Sequence, residues 1–129
     1  MTNIVISIQN GLLAEAITGM LYNSGEFQPY RLDVGNKKLD MADNCEMLSA
    51  DIVVAEVSYS NGTSVETRLR EVKEIRKRLP SCKIVLLCDE NSAPDIAHDV
   101  ALFKKDGLID NFFYSSVTSK YLLAALSSL

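Results

Sequence analysis

Apolar positions along this chain fall into two alternating periods. Short apolar runs at Ile4–Ile8, Tyr30–Val34, Ile52–Val57, Ile84–Cys88 and Phe112–Tyr114 are separated by longer segments in which apolar residues recur every three or four positions. A run of β type followed by a segment of helical period, repeated along the whole chain, predicts a parallel sheet covered by helices on both faces.

The elements can be placed more closely. Asn3–Ile8 reads as strand one, and Leu12–Tyr22, with Leu13, Ile17, Met20 and Leu21 at spacings of three and four, as an amphipathic helix. Asn23-Ser24-Gly25 supplies its stop, Gly25 being suited to the left-handed position that ends a helix. Strand two, Phe27–Val34, contains Pro29, which removes a ladder donor and is tolerated on an edge strand, so strand two is expected outside strand one. Lys37–Ala50, holding Leu39, Met41, Cys45, Met47 and Leu48, reads as a looser helix. Asp51–Val57 is apolar apart from its ends, as a strand covered on both faces should be, and belongs in the middle of the sheet.

After the loop Ser58–Gly62, Thr63-Ser64-Val65-Glu66 forms a capping-box pattern in which Thr63 and Glu66 would satisfy each other's backbone donors. Helix three then carries Val65, Leu69, Val72, Ile75 and Leu79 as its buried stripe. Its cations Arg68, Arg70, Lys73, Arg76, Lys77 and Arg78, interleaved with Glu71 and Glu74, are expected on a solvated face rather than on a cationic recognition surface. Lys83–Cys88 reads as strand four, and Asn91–Asp106 as helix four around Ile96, Val100 and Phe103, closed by Gly107. His98 is offset from that stripe and is expected to face water. Asn111–Tyr114 is strand five, and helix five runs from a Thr118 or Ser119 cap to the terminus with no charge after Lys120. So weak a polar face is covered by a partner or continues into further chain, unless its small Ala and Ser residues simply meet water.

A length of 129 residues fits one domain, and 47% hydrophobic with 23% charged residues is ordinary for a globular fold. Thirteen Lys and Arg against seventeen Asp and Glu give a net charge of −4, which argues against direct nucleic-acid binding because phosphates call for a cationic surface. No cation precedes Arg31 and no uncharged run approaches the roughly 18 residues of a membrane span, so a cytoplasmic location without membrane attachment is the default expectation. The three cysteines lack metal-type spacing; Cys82 and Cys88 on one strand would stand about 20 Å apart, too far for a bridge. Reduced, buried thiols are expected.

In parallel sheets of this kind, ligands and chemistry sit at the carboxyl ends of the strands. Those ends here are Ile8-Gln9-Asn10, Glu56-Val57-Ser58, Cys88-Asp89 and Tyr114-Ser115-Ser116. Only Glu56 and Asp89 offer an acid, and none of the four offers a cation.

On three of these segments the chain resembles the receiver domains of two-component response regulators, over nearly its whole length. Asn3-Ile4-Val5-Ile6-Ser7-Ile8-Gln9-Asn10 is similar to the receiver opening, where an apolar strand ends in adjacent Asp residues. Asp51-Ile52-Val53-Val54-Ala55-Glu56-Val57 is similar to the third strand, which ends on the phosphoacceptor Asp; Asp110-Asn111-Phe112-Phe113-Tyr114-Ser115 is similar to the fifth, where a Lys-Pro pair normally stands. Five βα units with strand two at an edge point to a flavodoxin-like, doubly wound five-stranded parallel sheet of order 2-1-3-4-5, and the resemblance implies the same fold as a single domain over residues 1–129. It also places Glu56 at the phosphoacceptor position, Ile8 and Gln9 at the acidic-pocket positions, and Cys88, Phe112 and Ser115 at positions of the switch.

The framework matches and the chemistry departs. Magnesium needs near-octahedral oxygen ligation, and a pair made of Ile8 and Gln9 offers one amide in place of two carboxylates. Ser115 cannot supply the cation that the family's Lys would bring to a transferred phosphoryl group. The expectation is a degenerate receiver, a pseudo-receiver without enzymatic activity, magnesium or other cofactor. It would act as a phosphorylation-independent interaction module in signalling, pairing with a protein partner, in the simplest case a second copy, through helix four, strand five and helix five. Glu56, one methylene longer than Asp, would mimic a phosphorylated state only with a partner cation; a carboxylate held by loop amides or by the Ser58 and Ser115 hydroxyls is the preferred expectation.

Three alternatives stay open. The chain could be a phosphorylation-competent receiver using Glu56 or an atypical site. It could be a flavodoxin-like domain for a small ligand, although Gln9-Asn10-Gly11-Leu12 has a single Gly and no Ser/Thr cluster to cradle phosphate. A thiol-phosphorylating enzyme of this fold would want a cysteine at the end of strand one, and Cys88, without a neighbouring His, is expected to be inert.

Overall fold

The computed structural model describes residues 1–34, 40–88 and 94–129. Strands β1 (Thr2–Ser7), β2 (Phe27–Arg31), β3 (Ile52–Val57), β4 (Lys83–Cys88) and β5 (Asn111–Tyr114) form one sheet in the order β2-β1-β3-β4-β5. Every adjacent pair is parallel. Helices α1 (Gly11–Ser24), α2 (Met41–Met47), α3 (Val65–Arg78), α4 (Pro94–Lys105) and α5 (Ser119–Ser127) link or follow the strands. This is the flavodoxin-like doubly wound sheet expected from the run pattern, with Pro29 on edge strand β2.

Alternation along each strand builds two cores, because successive side chains leave the sheet on opposite faces. Val5, Val53, Ala55, Leu86 and Cys88 pack on one face with Met41, Cys45, Val72, Ile75 and Val100 from α2, α3 and α4. Ile4, Ile6, Ile8, Val54, Val85 and Leu87 pack on the other with Ile17, Leu21, Leu122 and Leu126 from α1 and α5. β3 and β4 are buried on both faces, as their continuous apolar runs require. The chain reverses direction across the sheet between β1 and β3, which leaves a crevice above their carboxyl ends.

Several boundaries move. β2 ends at Arg31 rather than Val34, and α2 spans Met41–Met47, capped by Asp40, rather than Lys37–Ala50; Lys37 and Leu39 of the expected helix, Asp89, and Asn91 at the expected start of α4 lie outside the described residues. Gly25 (φ 74°) and Gly107 (φ 78°) close α1 and α4 in the left-handed conformation that a Cβ disfavours. The capping box shifts by one residue. Ser64, not Thr63, caps α3 by accepting from the Thr67 amide at 3.2 Å, because Thr63 is buried at the end of a 3-10 turn and its hydroxyl is bonded to Ser58. Thr118 caps α5, accepting from the Tyr121 amide at 3.2 Å. His98 is exposed, as expected.

All three cysteines are reduced and buried. Burial pushes the Cys45 thiol from an ordinary 9.0 up to about 12, and those of Cys82 and Cys88 to about 11. In the unfolded chain these thiols ionise first, so the stability they contribute is complete below about pH 9 and is lost as pH rises through 11 to 12. Urea midpoints should therefore be flat across neutral pH and fall above pH 9. An aromatic disulfide reagent at pH 8 should label the native thiols far more slowly than those of the urea-unfolded chain.

Candidate functional site

The crevice at the carboxyl ends of β1 and β3 brings Glu56 to Gln9, whereas the other strand-end residues named by sequence are divided between the two faces of the sheet. Ile8 is 2% exposed and buried in the α1/α5 core, so it presents hydrocarbon where the resemblance asks for a carboxylate. Gln9 is exposed. Glu56 is half-buried, and its Oε1 accepts the amide of Gln9 at 2.9 Å and that of Asn10 at 3.4 Å. These amides lie two and three residues beyond β1, at the entry to α1 that Asn10 caps, where oriented N–H groups favour an anion. Loop amides rather than the Ser58 or Ser115 hydroxyls hold the Glu56 carboxylate.

Cys88 and Phe112 belong to the opposite core, with α3 and α4. Ser115 donates its amide to the Cys88 carbonyl at 2.8 Å and lines an apolar pocket of about 130 Å³ with Leu13, Ile17, Met20, Leu87 and Leu122. An open groove of about 470 Å³ lies on the β2 side, bounded by Ile8, Gln9, Arg31, Leu32, Asp33 and Val34. Among the described residues no group of three or more His, Cys, Asp and Glu side chains could hold a metal ion.

The residue that sequence reasoning missed is Arg68. It was expected on a solvated face, but it is 1% exposed and the largest of the fully buried side chains. Its Nε donates to the Glu56 carbonyl at 2.8 Å and its Nη2 to the Ser7 carbonyl at 2.9 Å. Its Nη1 donates to the Ser7 hydroxyl at 3.0 Å and to the Glu71 carboxylate at 2.9 Å. The signal was present in the spacing, since 65, 68, 72, 75 and 79 recur at three and four just as the assigned stripe does, and Val72 and Ile75 on that row are buried. An all-polar arginine was assigned to water by type when its position assigned it to the core.

Two further cations of α3 also leave the solvated face. Arg76 donates to the carbonyls of Leu108 and Cys82 and to Asp110 at 2.6 Å, while Asp110 accepts the Ile84 amide. Arg78 bridges Glu74 and Asp43, and this partner holds the Asp43 carboxyl below its ordinary value. Arg70, Lys73 and Lys77 are exposed as expected. On the far side, the Tyr59 hydroxyl donates to Asp95 at 2.9 Å, tying the β3–α3 loop to α4; that bond raises the phenol's pKa.

No protein-family model matches this chain, and no curated protein matches it in sequence. Its fold has solved counterparts. A DNA-binding response regulator of the LuxR family from Staphylococcus aureus superposes with a TM-score of 0.74 at 15% identity, covering 99% of this chain and 98% of that one. The chemotaxis protein CheY4 of Vibrio cholerae gives 0.72 at 16% identity, with 99% and 98% coverage. A CheY-like protein from Pseudomonas aeruginosa gives 0.72 at 12% identity, with 99% and 92% coverage. The chain therefore has the fold of response-regulator receiver domains, as the three strand segments implied.

Removing a charge from a buried, multiply bonded pair costs about 3–5 kcal/mol, because the partners are left unsatisfied. Arg68→Met should lose that much in urea unfolding, whereas Arg70→Met, on the exposed face, should stay within about 0.5 kcal/mol of the parent.

Proposed function

We propose that this chain is a degenerate receiver: a protein-interaction module of signal transduction whose state does not depend on phosphorylation. The observation that carries this reading is the occupancy of the phosphoacceptor position. Glu56 spends one carboxylate oxygen on two backbone amides, beside a buried Ile8 where an acid would help to hold magnesium. The donor set fits that ion poorly, since it needs close to six oxygens in octahedral array and Ile8 brings none from its side chain. Ser115 lines an apolar pocket with Leu87 and Leu122 rather than bringing a cation to the crevice. Phosphoryl transfer relies on positioning and charge neutralisation, and both are weak here.

Output through α4, β5 and α5 is the second half of the proposal. Phe112 and Phe113 are half-buried and pack into opposite cores, so the apolar surface left outside is Leu102 (42% exposed), Tyr114 (41%) and Tyr121 (62%). Tyr114 stands edge-on to Phe112 and Tyr121 edge-on to Phe113, which fixes both rings on the surface. Asp95, Lys104 and Lys105 on α4 and Lys120 on α5 are exposed, so charges of both signs are available to pair across a two-fold axis. Among the described residues no helix is long and apolar enough to cross a membrane.

Two measurements test the two halves. With beryllofluoride and magnesium, the amide spectrum of the protein should stay unchanged around Gln9, Glu56 and Ser115; displacements there would show a working acceptor. Light scattering should give a dimer whose mass falls to the monomer in the Leu102→Glu, Tyr121→Glu double variant, and a parent that is monomeric at high concentration would remove the pairing surface.

A further inference from the structure

The last register pair of the β1–β3 ladder is Ser7–Ala55. One residue further on, at Glu56, the two strands are still joined, and the joint is the Arg68 guanidinium, which spans the Ser7 carbonyl at 2.9 Å and the Glu56 carbonyl at 2.8 Å. Four oxygens converge on this cation: two main-chain carbonyls, the Ser7 hydroxyl and the Glu71 carboxylate one turn along α3. Glu56 is thus gripped twice. Its carbonyl is held by Arg68, and its carboxylate is held by the Gln9 and Asn10 amides, two and three residues beyond Ser7.

We infer that Arg68 is the positioning residue of this crevice, a cation built into the chain that fixes the main chain of Ser7 and Glu56 so that the Glu56 carboxylate meets the Gln9 and Asn10 amides. A planar guanidinium suits the task because its forked donors reach carbonyls on two strands at once; an ammonium of similar charge is a point donor and cannot span them with the same geometry. The inference rests on the degenerate-receiver reading and deepens it. A receiver edge set by a covalently attached, always-charged group is held in one arrangement without an added ion or a transferred phosphoryl group.

The test reads the latch itself by amide spectroscopy of the full chain. Glu56→Ala removes the carboxylate and defines the displacement of the Gln9 and Asn10 amide protons when the latch is open. Arg68→Lys keeps the charge and should move those two signals in the same direction by at least half as much, while Val85 and Leu86 at the sheet centre stay in place. The double variant should move them no further than Glu56→Ala alone, since both changes act through one contact. Glu71→Ala, which frees one of the four anchors of Arg68 from a site remote in sequence from Gln9, should give a smaller displacement of the same sign. It keeps the test open if Arg68→Lys does not fold. Gln9 and Asn10 signals unchanged from the parent in Arg68→Lys, or in Glu71→Ala if that is the variant that folds, would reduce Arg68 to general core stability and overturn the inference. Failure of the phosphorylation-independent reading would show elsewhere, as a beryllofluoride response of the parent protein.

Discussion

A charged side chain taken fully out of water is among the most demanding features a small fold can carry, costing several kcal/mol unless its donors are met. Arg68 meets that demand with oxygens from β1, β3 and its own helix, and the carboxyl edge of the sheet is organised around it. Two of its acceptors are main-chain carbonyls at strand ends, groups that would otherwise have to find water or a loop donor. The helix that delivers it is held at several points. Ser64 caps its start, Val72 and Ile75 seat its middle, and Arg76 ties its last turn to the carbonyls of Cys82 and Leu108.

The two faces of the sheet divide the work. Ile8, Glu56 and Ser115 stand toward α1 and α5, while Ser7, Cys88 and Phe112 stand toward α3 and α4. Arg68 and the Glu56 carboxylate therefore act on the same two strands from opposite sides. The ends of β1 and β3 are thus braced by the chain's own groups on both faces. At the edge formed by β5 and α5, Tyr114 and Tyr121 lie outside and their aromatic neighbours lie half inside.

The fold was legible because each of its decisions is local or periodic. Pro29 marked the edge strand, the continuous runs at Ile52–Val57 and Lys83–Cys88 marked the centre, and Gly25 and Gly107 marked helix ends. The site was legible in part. Glu56 and Gln9 were named, and loop amides or the Ser58 and Ser115 hydroxyls were the expected partners of the Glu56 carboxylate, without Gln9 and Asn10 being singled out as the donors; Cys88 and Ser115 were named, but their places away from that carboxylate were not foreseen. Thr63 misled by one residue because a hydroxyl that reads as a cap can be captured by another hydroxyl, here Ser58, before the helix begins.

Taken by itself, the sequence determined the order of strands and helices, the two-faced burial of the central strands and the lack of a paired carboxylate at the end of β1. These follow from periodicity and residue type, which act over a few neighbouring positions. Tertiary structure alone decided that Arg68 is an interior cation and that Glu56 closes onto the start of α1. Those outcomes depend on which oxygens and amides, up to 61 residues away in sequence, arrive within hydrogen-bonding distance of one another. A buried charge is set by the partners that surround it, and a pattern of hydrophobic and polar positions carries no record of partners brought together by folding.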